Sequence, residues 1–203
     1  MKPRLIYQEF QRRIKEPRKF IQVLLGPRQV GKTTLASYLE EHLRLCTHYC
    51  SADVATLEDL PWVEMQWEIA RQLVKEKKSA LLIIDEVQKI PNWSSLVKKL
   101  WDQDTKNKID LKVVILGSSP WLMQKGLTES LAGRFEILHI THWSLQEMHD
   151  FFNWNINQYI YFGGYPGPAS LIGDLPRWLN YINDSLIETL CTGQKNNLMT
   201  KAR

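Results

Sequence analysis

The run Gly26-Pro27-Arg28-Gln29-Val30-Gly31-Lys32-Thr33-Thr34 constrains this chain more than any other stretch, because it satisfies the full phosphate-loop pattern G-x-x-x-x-G-K-[ST]. The pattern works in one structural setting only. A strand must lead into it, a helix must leave it with its N-terminus towards the phosphates, and glycines must let backbone N–H groups crowd round oxygen atoms. The sequence supplies that setting. Phe20 to Leu25 is a short, mostly apolar run suited to a buried strand, and Leu35, Leu39 and Leu43 follow at helical spacing. Lys32 is expected to reach the β- and γ-phosphates and the Thr33 hydroxyl to ligate Mg²⁺, with Gly26, Pro27, Arg28, Gln29, Val30, Gly31 and Thr34 completing the cradle. Arg28 has two readings, a phosphate contact or a solvent-facing loop arginine.

Strand-like and helix-like runs alternate through the first three quarters of the chain, the signature of a parallel sheet covered on both faces. Strands are expected at 20–25, 47–51, 80–85, 112–116 and 136–141, and helices at 3–15, 32–43, 62–76, 93–105 and 144–153. The reading is a three-layer α/β P-loop domain over 1–153. Beyond it, the Gly163-Gly164-Tyr165-Pro166-Gly167-Pro168 turn and an amphipathic helix over 176–190 form a helical extension spanning 154–191. That helix places Leu175, Leu179, Ile182, Leu186 and Leu190 on one side, and 192–203 reads as a frayed tail.

A phosphate loop needs an acidic partner. Ala80-Leu81-Leu82-Ile83-Ile84 is an apolar strand ending in Asp85-Glu86, and the carboxyl ends of strands line the ligand crevice of a parallel sheet. Asp85 is expected to hold Mg²⁺ through water, and Glu86 to polarise the water that attacks the γ-phosphate. Val113-Val114-Ile115-Leu116-Gly117 ends in Ser118 and Ser119, either of which can reach the γ-phosphate or that water. Arg134, just before the last strand, reads either as an arginine that crosses to a neighbouring subunit's nucleotide or as a surface or salt-bridged residue.

Together these segments resemble the AAA+-type ATPases in which a P-loop domain precedes a C-terminal domain of unknown function. The resemblance is carried by 26–34, by Ile84-Asp85-Glu86-Val87-Gln88-Lys89-Ile90-Pro91, by Leu116-Gly117-Ser118-Ser119, by Ser130-Leu131-Ala132-Gly133-Arg134 and by Gly163-Gly164-Tyr165-Pro166. It extends through Arg177-Trp178 and Tyr181-Ile182 to Thr189. It implies a five-stranded parallel sheet of the additional-strand type, with the phosphate-loop and acidic strands separated by one other, and Mg²⁺-dependent ATP hydrolysis; assembly into homo-oligomers hangs on the first reading of Arg134 alone. Relatives continue beyond the position of Thr189, whereas 190–203 loses the pattern.

Two other readings compete. Asn107-Lys108-Ile109-Asp110 spells the guanine-reading N-K-x-D pattern, but it precedes a strand and should lie at the edge opposite the phosphates. The alternative of a different class is a nucleotide-dependent switch with little or no turnover; intact Lys32, Thr33, Asp85 and Glu86 weigh against it.

Composition narrows the rest. With 44% apolar and 24% charged residues the chain reads as an ordinary soluble domain, expected in the cytoplasm. Three cysteines do not suggest a disulfide framework. Cys46, His48 and Cys50 alternate as strand residues do, so their spacing is read as periodicity and not as a metal site. A net charge of +4 implies no nucleic acid by itself; residues 1–19 carry seven basic against two acidic side chains, +5, which reads as a solvated helix face. Most of the eight tryptophans are expected in the core or between helices.

Overall fold

The computed structural model describes residues 4–53, 60–118, 123, 127 and 130–187. Five strands, β1 (Ile21–Leu25), β2 (Cys46–Ser51), β3 (Ala80–Asp85), β4 (Leu111–Gly117) and β5 (Phe135–His139), pair in parallel in the order β2-β3-β4-β1-β5. The arrangement follows from the side chains. β1 and β3 are buried at every position and β4 at all but Lys112, as near-continuous aliphatic runs require when both faces of a sheet are covered. The more polar Cys-Thr-His-Tyr-Cys-Ser and Phe-Glu-Ile-Leu-His segments are half-buried and take the two edges. Strands with the phosphate loop and with the acidic pair are therefore separated by β4, as the resemblance implies.

Helices α1 (Leu5–Lys15), α2 (Lys32–His42), α3 (Leu60–Lys77) and α4 (Trp93–Lys106) belong to the same compact unit, which ends at Thr141. Val63, Trp67 and Ala70 of α3 and Val97, Leu100 and Trp101 of α4 join β3 and β4 in one core cluster. Asp104 is fully buried between these helices; its carboxylate accepts from the Trp67 indole at 2.8 Å and from Arg71 Nε at 2.8 Å. Part of the basic N-terminal charge is met within the unit. Arg12 and Arg13 both donate to Glu9, whose carboxyl their hydrogen bonds hold down at about 2. Arg18 stacks 3.5 Å from the Trp101 ring and donates to the Leu111 and Trp101 carbonyls.

Arg28–Val30 and residues from His142 onward make a second compact unit. The sequence places a boundary after Asn153; the Leu145–Phe152 helix groups with this second unit, where Trp143 and Met148 pack in one cluster with Trp154 and Ala169. Its helices are α5 (Leu145–Phe152), α6 (Ile156–Phe162) and α7 (Leu175–Tyr181), the last passing directly into a π-helical turn, Ile182–Ile187. Capping boxes start α5, from Ser144 and Glu147, and α6, from Asn155 and Gln158; Asp174 caps α7. The helix expected over 176–190 is thus continuous through Ile187, its second half wound as a π-helix, and 188–190 lie outside the described residues. Its apolar side is not covered by the described residues: Leu175 is 40% and Leu179 46% exposed, and only Leu186 is buried. Residues 188–203, including Leu190 and the expected tail, lie outside the described residues. No helix among the described residues is long and apolar enough to cross a membrane.

Candidate nucleotide site at the carboxyl edge of the sheet

Parallel pairing brings the carboxyl ends of all five strands to one edge. Leu25 pairs with Gly117 and with His139, Asp85 with Leu116, and Ser51 with Asp85. Gly26 follows immediately and donates its N–H to the Gly117 carbonyl at 3.4 Å. A side chain is impossible there, since a Cβ on Gly26 would lie 2.1 Å from the Ile140 carbonyl oxygen. Gly31 ends the loop at φ 98, in the left-handed region that glycine enters without strain, and α2 starts at the next residue.

The lysine and threonine of the loop are placed by that helix start. Lys32 is buried, 7% exposed, and donates from Nζ to the Gly26 carbonyl at 2.9 Å and the Pro27 carbonyl at 2.6 Å. The ammonium is thereby folded over the loop's own backbone. Thr33 Oγ1 donates to Asp85 Oδ2 at 3.3 Å, so the phosphate loop and the acidic strand meet across 52 positions of sequence. Arg28 and Thr34 are exposed. Val30 is fully buried in the second unit, where its carbonyl accepts from the Trp143 indole at 3.1 Å.

Asp85 is itself buried, 6% exposed, and its Oδ2 also accepts from the Tyr49 hydroxyl at 3.0 Å. Burial, with Asp85 alongside, pushes the Tyr49 hydroxyl up, so it remains a proton donor. The same two causes push the Cys50 thiol up to about 12. Cys50 packs in the core and donates to the Ile83 carbonyl, while His48 bonds to Gln66 on α3 at 2.7 Å. His48 and Cys50 are thus tied to separate neighbours, and among the described residues no group of three or more His, Cys, Asp and Glu is placed to hold a metal. The donor set that does suit a hard cation is smaller: the Thr33 hydroxyl and the Asp85 carboxylate, both oxygen ligands of the kind Mg²⁺ combines with phosphates and water.

Glu86 adopts a left-handed backbone, φ 55, an uncommon conformation for a residue other than glycine. It turns the chain into a 3-10 turn, Val87–Lys89, and brings its carboxylate under two donors. Ser118 Oγ, at the end of β4, donates to Glu86 Oε2 at 3.0 Å, and Gln88 Nε2 donates to the same oxygen at 2.5 Å. Ser119 lies outside the described residues.

Arg134 stands elsewhere. Its carbonyl accepts from the Ile21 N–H at the start of β1, so it lies at the amino edge, the opposite end of the sheet from the loop. Its guanidinium forks Asp102 through Nε at 2.7 Å and Nη2 at 3.0 Å, and holds that carboxyl below its usual range. Asn107 to Asp110 also precede their strand, β4, and sit at this amino edge. Two members of the constellation, Tyr49 and Gln88, have no role in the sequence reading. Tyr49 carries no signal, because nothing in the sequence says that β2 lies beside β3. Gln88 follows the acidic pair, but its residue type alone points to no task.

Comparison with known proteins adds the following. Residues 18–149 match a family model described as an AAA domain. An uncharacterized protein of Methanocaldococcus jannaschii is 28% identical over 171 residues, covering 76% of this chain and 37% of that protein. Uncharacterized proteins of Mycobacterium bovis and Mycobacterium tuberculosis are each 32% identical over 130 residues, covering 62% of this chain and 26% of theirs. The chain therefore spans only 26% to 37% of the length of these curated relatives. Among solved structures, the RuvB Holliday junction branch migration motor of Thermotoga maritima matches 73% of this chain and 46% of its own, at a TM-score of 0.48 and 20% identity.

Proposed function

The chain belongs to the AAA domain family, and on that premise we propose that it binds ATP with Mg²⁺ and hydrolyses it. The observation that carries this reading is the meeting of Thr33 with Asp85, beside a Glu86 whose carboxylate is held in place by hydrogen bonds. A phosphate loop alone is shared by kinases and switches. A second carboxylate immediately after the metal-side aspartate is what hydrolysis needs, because the attacking water must be oriented and must lose a proton.

Each residue then has one task. The loop amides of 26–34 and the Lys32 ammonium bind the β- and γ-phosphates, Lys32 exchanging the Gly26 and Pro27 carbonyls for phosphate oxygens. Thr33 and Asp85 would hold Mg²⁺, which when bound neutralises charge on those phosphates. Tyr49 fixes the Asp85 carboxylate by donating to Oδ2. Glu86 accepts a proton as the water oxygen bonds to the γ-phosphorus and the bond to the bridging oxygen breaks, giving ADP and inorganic phosphate. Ser118 stands at the end of β4, where the γ-phosphate would lie, and Ser119, the next residue in the sequence, is kept as the alternative contact. Arg134, at the far edge, would exchange its Asp102 carboxylate for the nucleotide of a second copy, giving a homo-oligomer in which each site is completed by its neighbour.

Phosphate release under saturating Mg²⁺ and ATP tests this. Glu86→Gln should lower kcat by about 100-fold or more, the usual worth of a general base, with ATP still bound. A chain that binds ATP tightly and releases no phosphate would instead be a nucleotide-dependent switch. Arg134→Ala should abolish turnover without weakening binding, and mixing it with Lys32→Ala chains should restore part of the rate; a specific rate that does not change with protein concentration would count against action between copies.

A further inference from the structure

We propose that Gln88 positions the attacking water, its amide nitrogen holding Glu86 and its amide oxygen accepting a hydrogen bond from the water itself. The inference rests on the ATPase reading and adds to it a second acceptor for the nucleophile.

Three observations converge. Both hydrogen bonds to the Glu86 carboxylate, from Gln88 Nε2 and from Ser118 Oγ, land on Oε2. Among the described residues none donates to Oε1, which is left to act as the base. The orientation of the Gln88 amide is fixed by chemistry, since only its NH₂ can face a carboxylate. Gln88 Oε1 is buried and meets no donor among the described residues, so a small turn of the amide, with Nε2 still on Glu86, is what brings it to a water in the crevice. A buried acceptor without a donor is destabilising, and such groups in folded proteins call for a ligand or water.

The attacking water matches what the two oxygens require. It carries two O–H bonds and must keep a lone pair aimed at phosphorus. One O–H given to Glu86 Oε1 and the other to Gln88 Oε1 fixes its rotation about the attack direction, which a single acceptor cannot do. Locating both acceptors within three residues of one turn, Glu86 to Gln88, makes them a rigid pair: the left-handed Glu86 and the backbone bond from the Lys89 N–H to the Glu86 carbonyl at 3.0 Å hold the turn closed.

The two halves of the amide are separable by substitution. Gln88→Met removes donor and acceptor at nearly constant size, and Gln88→Lys keeps a donor within reach of Glu86 while removing the acceptor. Both should lower kcat by about 100-fold, the penalty for a misplaced reactant, while KM for ATP and the affinity for ADP stay within twofold of the unaltered chain. The affinity for ADP with aluminium fluoride, which captures an in-line water, should fall in parallel with kcat. Turnover at the normal rate in Gln88→Lys would reduce Gln88 to a clamp on Glu86 and overturn the proposal. So would a loss of ADP affinity as large as the loss of kcat in both variants, which marks a structural role. An unaltered chain that releases no phosphate sinks the ATPase reading and this inference with it; normal turnover in Gln88→Met sinks the inference alone.

Discussion

The sheet unit and the helical unit are built from equally apolar sequence but spend it differently. In the first, the strands carrying the site are buried along almost their whole length, and the buried polar side chains Asp85, Asp104 and Lys32 all have hydrogen-bond partners. In the second, the described core is a small cluster of Trp143, Met148, Trp154 and Ala169, with Val30 and Leu186 buried besides, while Ile160 is 73% and Tyr161 65% exposed. Its helices are seven or eight residues long, too short to persist on propensity, and they rely on caps and ring contacts such as Trp154 with Phe162 at 5.8 Å. Burial is thus concentrated in the unit that carries the candidate site, and the helical unit depends on local devices that single substitutions can remove.

The largest break in this contrast should come from Trp67→Ala. The ring is fully buried and its indole N–H satisfies Asp104, so the change opens a cavity and takes a donor from a buried carboxylate. A loss of about 3–5 kcal/mol is expected for emptying such a site, read as a lower urea midpoint and faster amide exchange throughout β3 and β4. A loss below about 1 kcal/mol, the scale of ordinary surface changes, would mean that the α3–α4 packing carries little of the unit's stability.

Ser144→Ala should have a smaller and more local effect. It removes the capping box of α5, in which Ser144 Oγ accepts from the Glu147 N–H and Glu147 Oε2 accepts from the Ser144 N–H at 2.8 Å. About 1 kcal/mol is the usual worth of such a cap. Exchange should quicken in the first turn of α5 while β3 amides stay protected; equal acceleration in both would erase the distinction between the units.

The same contrast explains what could be read from the sequence. β3 was legible to the residue, 80–85, because a strand covered on both faces must be apolar throughout and must stop where Asp85 and Glu86 begin. The phosphate loop was legible because its chemistry fixes residue types. In the helical unit the reading loses its grip: α6 was missed, since seven residues hold too little periodicity, although Asn155 and Gln158 spell its capping box. The apolar side read over 176–190 is a true pattern in the residues, but periodicity says which side is apolar and not whether anything covers it. In the site, Asp85 and Glu86 were visible as carboxylates at a strand end, whereas Tyr49 became a partner of Asp85 only through the neighbouring positions of β2 and β3, which no local pattern encodes. Arg134 was legible as a residue; its bidentate pairing with Asp102 depends on α4 passing beside the start of β5.

The smallest effect is expected from Tyr181→Phe, and it probes how the helical unit holds the loop residues that it contains. Tyr181 Oη donates to Gln29 Oε1 at 2.9 Å, and Gln29 Nε2 reaches the Ser185 carbonyl at 3.4 Å. Gln29 has φ 61, so its backbone is in a conformation that needs support from its surroundings. The Tyr181 hydroxyl approaches closely because residue 167 is glycine: a Cβ there would lie 2.4 Å from it. Removing one solvent-accessible hydrogen bond should cost about 0.5 kcal/mol, the low end for such a contact, and alter ATP affinity by about twofold, since 1.4 kcal/mol is tenfold. Exchange at Arg28–Val30 should rise, while Gly167→Ala, which displaces the hydroxyl and crowds the turn, should act in the same direction and more strongly. If Tyr181→Phe leaves exchange at Arg28–Val30 unchanged, the loop tip is held by the Trp143 indole bond to the Val30 carbonyl, and Trp143→Phe becomes the substitution that releases it.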